Sequence, residues 1–172
     1  FYSLTILSCQ DTRIQPQWNM VYSASSNHYD TLSFVDILPD SEDLYLVGNS
    51  KEIDSAYDEI AALRLSADGK IIWKKSFDID AYDRPLAHVI DTQQNLYIAS
   101  ENSVIKLNPQ GELLWTVHLS EFVSPPTEED PDPSMLIRDM KLYNDQIYVA
   151  GRHLILLNTD GAILQNIKFE KP

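Results

Sequence analysis

The chain repeats itself at a spacing near fifty residues, and few folds accommodate that. LYLVG at Leu44–Gly48 returns as LYIAS at Leu96–Ser100 and as IYVAG at Ile147–Gly151, with first residues 52 and 51 positions apart. Behind each follows a second strand-like stretch carrying a glycine turn: LRLSADGKIIW from Leu63, IKLNPQGELLW from Ile105 and LILLNTDGAILQ from Leu154. A fixed period of this length with strand-forming content predicts a radial array of four-stranded sheets, a β-propeller. The expected fold is all-β, with three four-stranded antiparallel blades and one leading strand in an incomplete ring.

Each repeat divides into four strands. The first has them at Thr31–Leu38, Asp43–Gly48, Ile60–Ser66 and Lys70–Phe77. In the second they fall at Pro85–Asp91, Asn95–Ser100, Ser103–Asn108 and Leu113–Leu119, and in the third at Leu136–Tyr143, Gln146–Gly151, His153–Asn158 and Ala162–Phe169. Val, Ile, Leu and Tyr dominate, as pleated packed surfaces require. Runs such as IIW, LLW and LILL are apolar on both faces, which fits a sheet covered on both sides by its neighbours. SADG, NPQG and NTDG place Gly69, Gly111 and Gly161 where a tight hairpin needs positive φ. The acidic segment Ser50–Glu59 reads as a long loop.

WNMVYS from Trp18 matches WKKSFD from Trp73 and WTVHLS from Trp115, while QNIKFE from Gln165 replaces the Trp. The chain thus carries an isolated outer strand and then three repeats, at about 31–77, 85–119 and 136–169. Trp18, Tyr22, Asp30, LYLVGNS at Leu44–Ser50, Asp58 and LRLSADGKIIW together resemble the bacterial β-propeller repeat known as SBBP. The resemblance spans Trp18 to Phe169 and implies architecture far more than activity. The second repeat loses the glycine of the core and the third loses the Trp. Propellers close with about four blades or more. Three repeats therefore read as part of a longer ring, the other route to closure being oligomerisation.

The sequence opens FYSLTILSCQ. Ile6, Leu7, Ser8 and Cys9 resemble the lipobox that ends a bacterial lipoprotein signal. The resemblance implies residues 1–9 as a signal remnant, lipid on Cys9, and 10–17 as a polar tether to a domain at 18–172. Two or more acyl chains anchor stably where one does not. The competing reading is an ordinary N-terminal strand with a buried cysteine. With the anchor, the expected location is the bacterial cell envelope, as an outer-membrane lipoprotein held only by its lipid.

A net charge of −13 repels phosphate backbones, so no nucleic-acid partner is expected. One cysteine permits neither an intramolecular disulfide nor a multi-cysteine zinc site. The four histidines His28, His88, His118 and His153 lack paired metal-ligand spacing, and the phosphate-loop, dinucleotide and GxSxG motifs are absent. No cofactor, metal or catalytic residue is expected.

Aligning the repeats on Leu44, Leu96 and Ile147 makes Asp36, His88 and Asp139 equivalent on the first strand of each blade, nearest the central channel. An Asp–His–Asp arc there would hold a cation or polar ligand; alternatively each residue bonds backbone of the adjacent blade. Tyr45, Tyr97 and Tyr148 recur at one position, which argues for shared packing rather than a sugar-binding stripe. The insertion Glu121–Ser134 holds Glu128, Glu129, Asp130 and Asp132 among prolines, without the order of a calcium loop. It reads as a solvated, semi-rigid loop suited to a partner contact. The expected function is a non-enzymatic binding or scaffold module for a protein or glycan. Outer-membrane protein assembly is one alternative. A quinoprotein-like dehydrogenase is another, set back by the single cysteine, since the resemblance to those enzymes implies a cysteine pair and a calcium-bound quinone.

Overall fold

Three turns of one design set the frame, at residues 66–70, 108–112 and 158–162. In each, the first amide donates to the fifth carbonyl at 2.9 Å (Ser66 to Lys70, Asn108 to Glu112, Asn158 to Ala162). The fifth amide returns to the first side chain, at 3.2 Å to Ser66 Oγ and 2.8 Å to the Oδ1 atoms of Asn108 and Asn158. Short polar side chains that bond their own backbone favour such turns. The fourth residue is Gly69, Gly111 or Gly161, at φ of 81°, 73° and 87°.

These turns organise three meanders. The structure, a computed structural model, describes residues 2–7, 16–22, 28–38, 41–80, 83–119, 122 and 137–169. A two-stranded ribbon pairs β1 (Tyr2–Leu7) with β2 (Pro16–Tyr22). The first four-stranded sheet contains β3 (His28–Ile37), β4 (Leu44–Glu52), β5 (Glu59–Leu65) and β6 (Ile71–Phe77). The second contains β7 (Ala87–Ile90), β8 (Leu96–Ala99), β9 (Ser103–Leu107) and β10 (Leu113–His118). The third contains β11 (Asp139–Tyr143), β12 (Gln146–Ala150), β13 (His153–Asn158) and β14 (Ile163–Lys168). Within each sheet, neighbours in sequence pair antiparallel, and the three sheets form an open series. No α-helix occurs among the described residues.

Alternation along each strand shares the core between neighbours. Tyr45, Val47, Ile60 and Ala62 of the first sheet pack with Leu96, Ile98, Ile105 and Leu107 of the second. The intervening residues Tyr97, Ala99 and Val104 turn the other way, onto Ile147, Val149, Ile155 and Leu157 of the third. All are essentially inaccessible to solvent, and each such aliphatic side chain contributes about 1.5–3 kcal/mol on burial. The second sheet thus has a neighbour on both faces, whereas the runs IIW and LLW, expected to be covered on both sides, leave Ile71, Ile72, Leu113 and Leu114 exposed, and LILL lies in the third sheet, packed on one face.

The outer strands share a further device. The pairings Leu65↔Ile71 and Arg64↔Trp73 leave Ile72 unpaired, and the same slip leaves Leu114 and Leu164 unpaired. A β-bulge at one register position of every outer strand bends it and breaks up the regular edge that another strand would pair with.

Two features differ from the sequence reading. β3 and β4 extend together to His28↔Glu52, so the acidic loop shrinks to residues 53–58. A bulge at Leu32/Phe34 allows this, and Gly48 faces it so closely that a Cβ would lie 1.8 Å from the Thr31 carbonyl oxygen. The Trp18 strand is not isolated, because β2 pairs with β1. β1 lies within residues 1–9, and Cys9 and the acidic positions 128–132 lie outside the described residues.

Candidate functional site

The recurring tyrosine begins a row that crosses each sheet. Register places Tyr45 beside Arg64 and Arg64 beside Trp73. In the second sheet the same row is Tyr97–Lys106–Trp115, and in the third it is Tyr148–Leu156–Gln165. In the first two rows a cation lies over the tyrosine ring, Arg64 at 5.7 Å and Lys106 at 5.1 Å from its centroid. The tyrosine and tryptophan rings tilt against each other with centroids 5.7 and 5.9 Å apart, within the range of favourable aromatic pairs.

Both rows grip the turn of the following sheet. The Trp73 indole donates to the Pro109 carbonyl at 2.9 Å, and Arg64 Nη1 donates to the same oxygen at 3.2 Å. One sheet on, the Trp115 indole and Lys106 Nζ converge on the Thr159 carbonyl at 3.1 and 3.0 Å. The turn glycine lies flat on the indole: a Cβ on Gly111 would sit 2.8 Å from Trp73, and one on Gly161 3.1 Å from Trp115. Donor-only side chains thus meet one acceptor that the turn geometry leaves exposed.

Charge is neutralised locally. Arg64 Nε and Nη2 bind Asp43 Oδ2 at 2.9 and 2.7 Å, and both side chains are nearly buried, at 12% and 13% exposed. Nη2 also reaches Gln94 Oε1 at 3.1 Å, and the Tyr45 hydroxyl donates to the Gln94 carbonyl at 3.0 Å. Burial raises the Tyr45 hydroxyl pKa, with Arg64 opposing. The Tyr97 hydroxyl donates to Asp91 Oδ2 at 2.8 Å, and burial, reinforced by that carboxylate, pushes its pKa up. Both phenols therefore stay protonated and act as donors.

The expected Asp–His–Asp arc is not assembled at one register position. Asp36 pairs with Tyr45 and faces the second sheet, whereas His88 pairs with Ile98 and faces the first. They meet across the interface, His88 Nε2 lying 3.4 Å from Asp36 Oδ2 beside the Phe34 ring. Asp139 lies on the far face of the third sheet, 3.2 Å from Lys141 Nζ. The residues in register with Asp36 are Val89 and Lys141, because the turns at 38–43, 91–95 and 144–145 differ in length. Burial lowers the His88 pKa, with Asp36 acting against it.

A second polar cluster escaped sequence reasoning. Asp80 accepts from the Ser103 hydroxyl, and its other oxygen lies 3.4 Å from His118 Nδ1. His118 Nδ1 is also 3.3 Å from Ser103 Oγ. Together the three side chains tie the 78–80 linker to β9 and β10. The linker at 78–80 is fixed further by fully buried Asp83, which accepts from the amides of Ile79 and Asp80. Burial raises the Asp83 pKa. No group of three or more metal-ligating side chains occurs among the described residues.

The architecture is that of β-propeller proteins. A protein of unknown function from Bacteroides caccae superposes with a TM-score of 0.53 and 17% identity, over 90% of this chain and 51% of that one. The WD40 domain of Neurospora crassa Pan2 gives 0.56 and 12%, over 81% and 38%. BamB from Moraxella catarrhalis gives 0.47 and 11%, over 96% and 66%. The chain spans about half the length of the first protein and less of the second. No protein-family model and no curated protein matches the sequence.

Proposed function

We propose that this chain is a non-enzymatic binding or scaffold module of SBBP-type propeller repeats, held in the bacterial cell envelope by lipid on Cys9 and engaging a protein or glycan. The observation that carries the reading is the use to which the polar groups between sheets are put. Arg64, Asp43, Trp73, Lys106 and Trp115 are all engaged in fixing one sheet to the next. A frame stiffened this way supports recognition by the loops and rims it carries.

The test uses the protein expressed with its native upstream sequence. Fractionation is expected to find it with membranes, and Cys9→Ala to release it into the soluble fraction. Wild-type protein in the soluble fraction would end the anchoring part of the proposal. Chemical crosslinking in intact cells is expected to trap a partner whose mass and composition are unchanged after incubation with the purified protein. Conversion of that partner into product would replace a binding module by an enzyme.

A further inference from the structure

One end of all three sheets is built from short turns. The turns at 38–43, 91–95 and 144–145 and the glycine turns at 66–70, 108–112 and 158–162 lie at this common end, because each sheet is a meander and Trp73 and Trp115 each hold the glycine turn of the next sheet. Of the twelve exposed large apolar side chains among the described residues, eight are here. Six of them form pairs at the start of the outer strands: Ile71 with Ile72, Leu113 with Leu114, and Ile163 with Leu164. The bulge that leaves Ile72, Leu114 and Leu164 unpaired re-aims a side chain, so two successive aliphatics are exposed at the same place on every sheet. Ile37 and Tyr143 complete the set at the ends of β3 and β11.

Leu113 and Leu114 belong to the second sheet, which is packed on both faces, so their exposure is a property of the rim and not of an unfilled sheet face. Single apolar side chains scattered over a surface are ordinary, whereas aliphatic pairs recurring at one register position and one end mark a contact surface. Charge at the same end says what fits it. Glu42, Glu112, Asp145 and Asp160 are exposed and form no ion pair among the described residues. The exposed cations nearest this end, Lys70 and Lys141, are already bound to Asp68 and Asp139 at 2.7 and 3.2 Å. Arg64 and Lys106 are engaged on the turn carbonyls.

Carboxylates set among the aliphatics repel an anionic lipid surface, and two copies meeting through this end would place like charges against each other. The indoles that would stack on a sugar ring are covered, Trp73 by Gly111 and Trp115 by Gly161. Deepening the binding role proposed above, on which it rests, we infer that this turn end docks a protein partner whose contact face is aliphatic and flanked by lysine or arginine. The aliphatic pairs supply the apolar centre of the contact, and the carboxylates around them steer and orient the partner.

The test places a photoreactive benzophenone amino acid at one position at a time in the full chain, expressed with its upstream sequence in intact cells of its source organism. Replacement of Ile72, Leu114 or Leu164 probes the turn end, and replacement of Ile53 or Phe169 probes the opposite end. Irradiation is expected to join one and the same protein to the three turn-end positions and to neither of the other two. Mass spectrometry of the joined peptide should find aliphatic residues with Lys or Arg beside them. Glu112→Gln with Asp160→Asn should cut the yield at least about fivefold, because rim charges set the rate of encounter. Glu52→Gln with Asp54→Asn, at the opposite end, should leave it unchanged. If the first pair fails to fold by circular dichroism, Leu113→Ser in the chain carrying the probe at position 164 replaces it, with the same fall expected from lost apolar contact. A partner trapped by chemical crosslinking but never joined at the three turn-end positions would overturn this inference and leave the binding module standing. Lipid joined in place of protein, an acidic joined peptide, or a yield indifferent to these substitutions would overturn it too. No partner by either method would remove the inference and the binding module together.

Discussion

Arg64 contacts three segments at once: the carboxylate of Asp43 in its own sheet, Gln94 in the turn between β7 and β8, and the Pro109 carbonyl in the next hairpin. Removing a partner from a nearly buried ion pair leaves the other charge uncompensated, whereas removing both is far milder. Arg64→Leu copies what the third sheet carries at Leu156, and it should destabilise by about 3 kcal/mol in urea unfolding. Arg64→Leu with Asp43→Asn should recover part of that loss; a double variant as unstable as the sum of both singles would deny the coupling. His88 supplies a pH dependence. Its ordinary pKa is 6.5, and burial lowers it in the fold, Asp36 opposing and Lys141 adding a little. Below pH 6.5 the unfolded chain therefore binds more protons than the folded one. The stability tied to neutral His88 is complete above that value, and it declines as pH falls toward the lower folded pKa. Urea midpoints measured from about pH 7 down to about pH 5 should fall more steeply for wild type than for His88→Gln. Parallel profiles would show that His88 is not shielded as the geometry requires.

At the scale of the element, the turns decide both stability and what the sequence reveals. Gly111 combines φ of 73° with an indole lying where its Cβ would go. Gly111→Ala should cost more than about 2 kcal/mol, the left-handed penalty plus displacement of Trp73. Gly161→Ala, with a gap of 3.1 Å, should cost less. Equal losses would mean that the ring contact contributes nothing. The turn between β11 and β12 is Asn144–Asp145, with φ of 49° and 56°. That two-residue geometry favours Asn followed by Gly. Asp145→Gly should therefore stabilise by about 0.5–1 kcal/mol, read as a raised thermal midpoint. The glycine turns were legible because three copies of one loop need the same backbone, and β8, β9, β12 and β13 accordingly fall where LYIA, SVIKL, QIYVA and HLILLN place them. Two things were not legible. The ends of β3 and β4 are mostly polar, so no apolar pattern marks His28–Asp30 or Lys51–Glu52 as strand. Counting back from Leu44, Leu96 and Ile147 misaligned Asp36, His88 and Asp139, because register is transmitted through turns of unequal length. The cations were visible as the Arg and Lys of LRL and IKL; that they serve the next sheet becomes apparent only once the sheets face one another.

For the whole molecule, the order of the sheets predicts the order of opening. In a series where each unit packs only on its neighbours, stability is a sum of unit and interface contributions. The second sheet is packed on both faces, and β8 is buried at every residue. The third is packed on one face, and every residue of β14 is exposed. Amides of β13 and β14 should therefore exchange with solvent through a local opening of the third sheet, while those of β8 and β9 exchange only when the whole chain unfolds. Two substitutions separate the interfaces. Ile155→Ala empties a site between the second and third sheets, and Ile105→Ala empties one between the first and second. Each should cost about 2–4 kcal/mol. The first should speed exchange chiefly in β11–β14, leaving β4 and β5 protected. The second should speed exchange throughout the second and third sheets, because it weakens the contact through which both are attached to the first. Uniform exchange across all three sheets, indifferent to which interface is weakened, would mean that the chain unfolds as one cooperative block and that its sheets are not a series of units joined by latches.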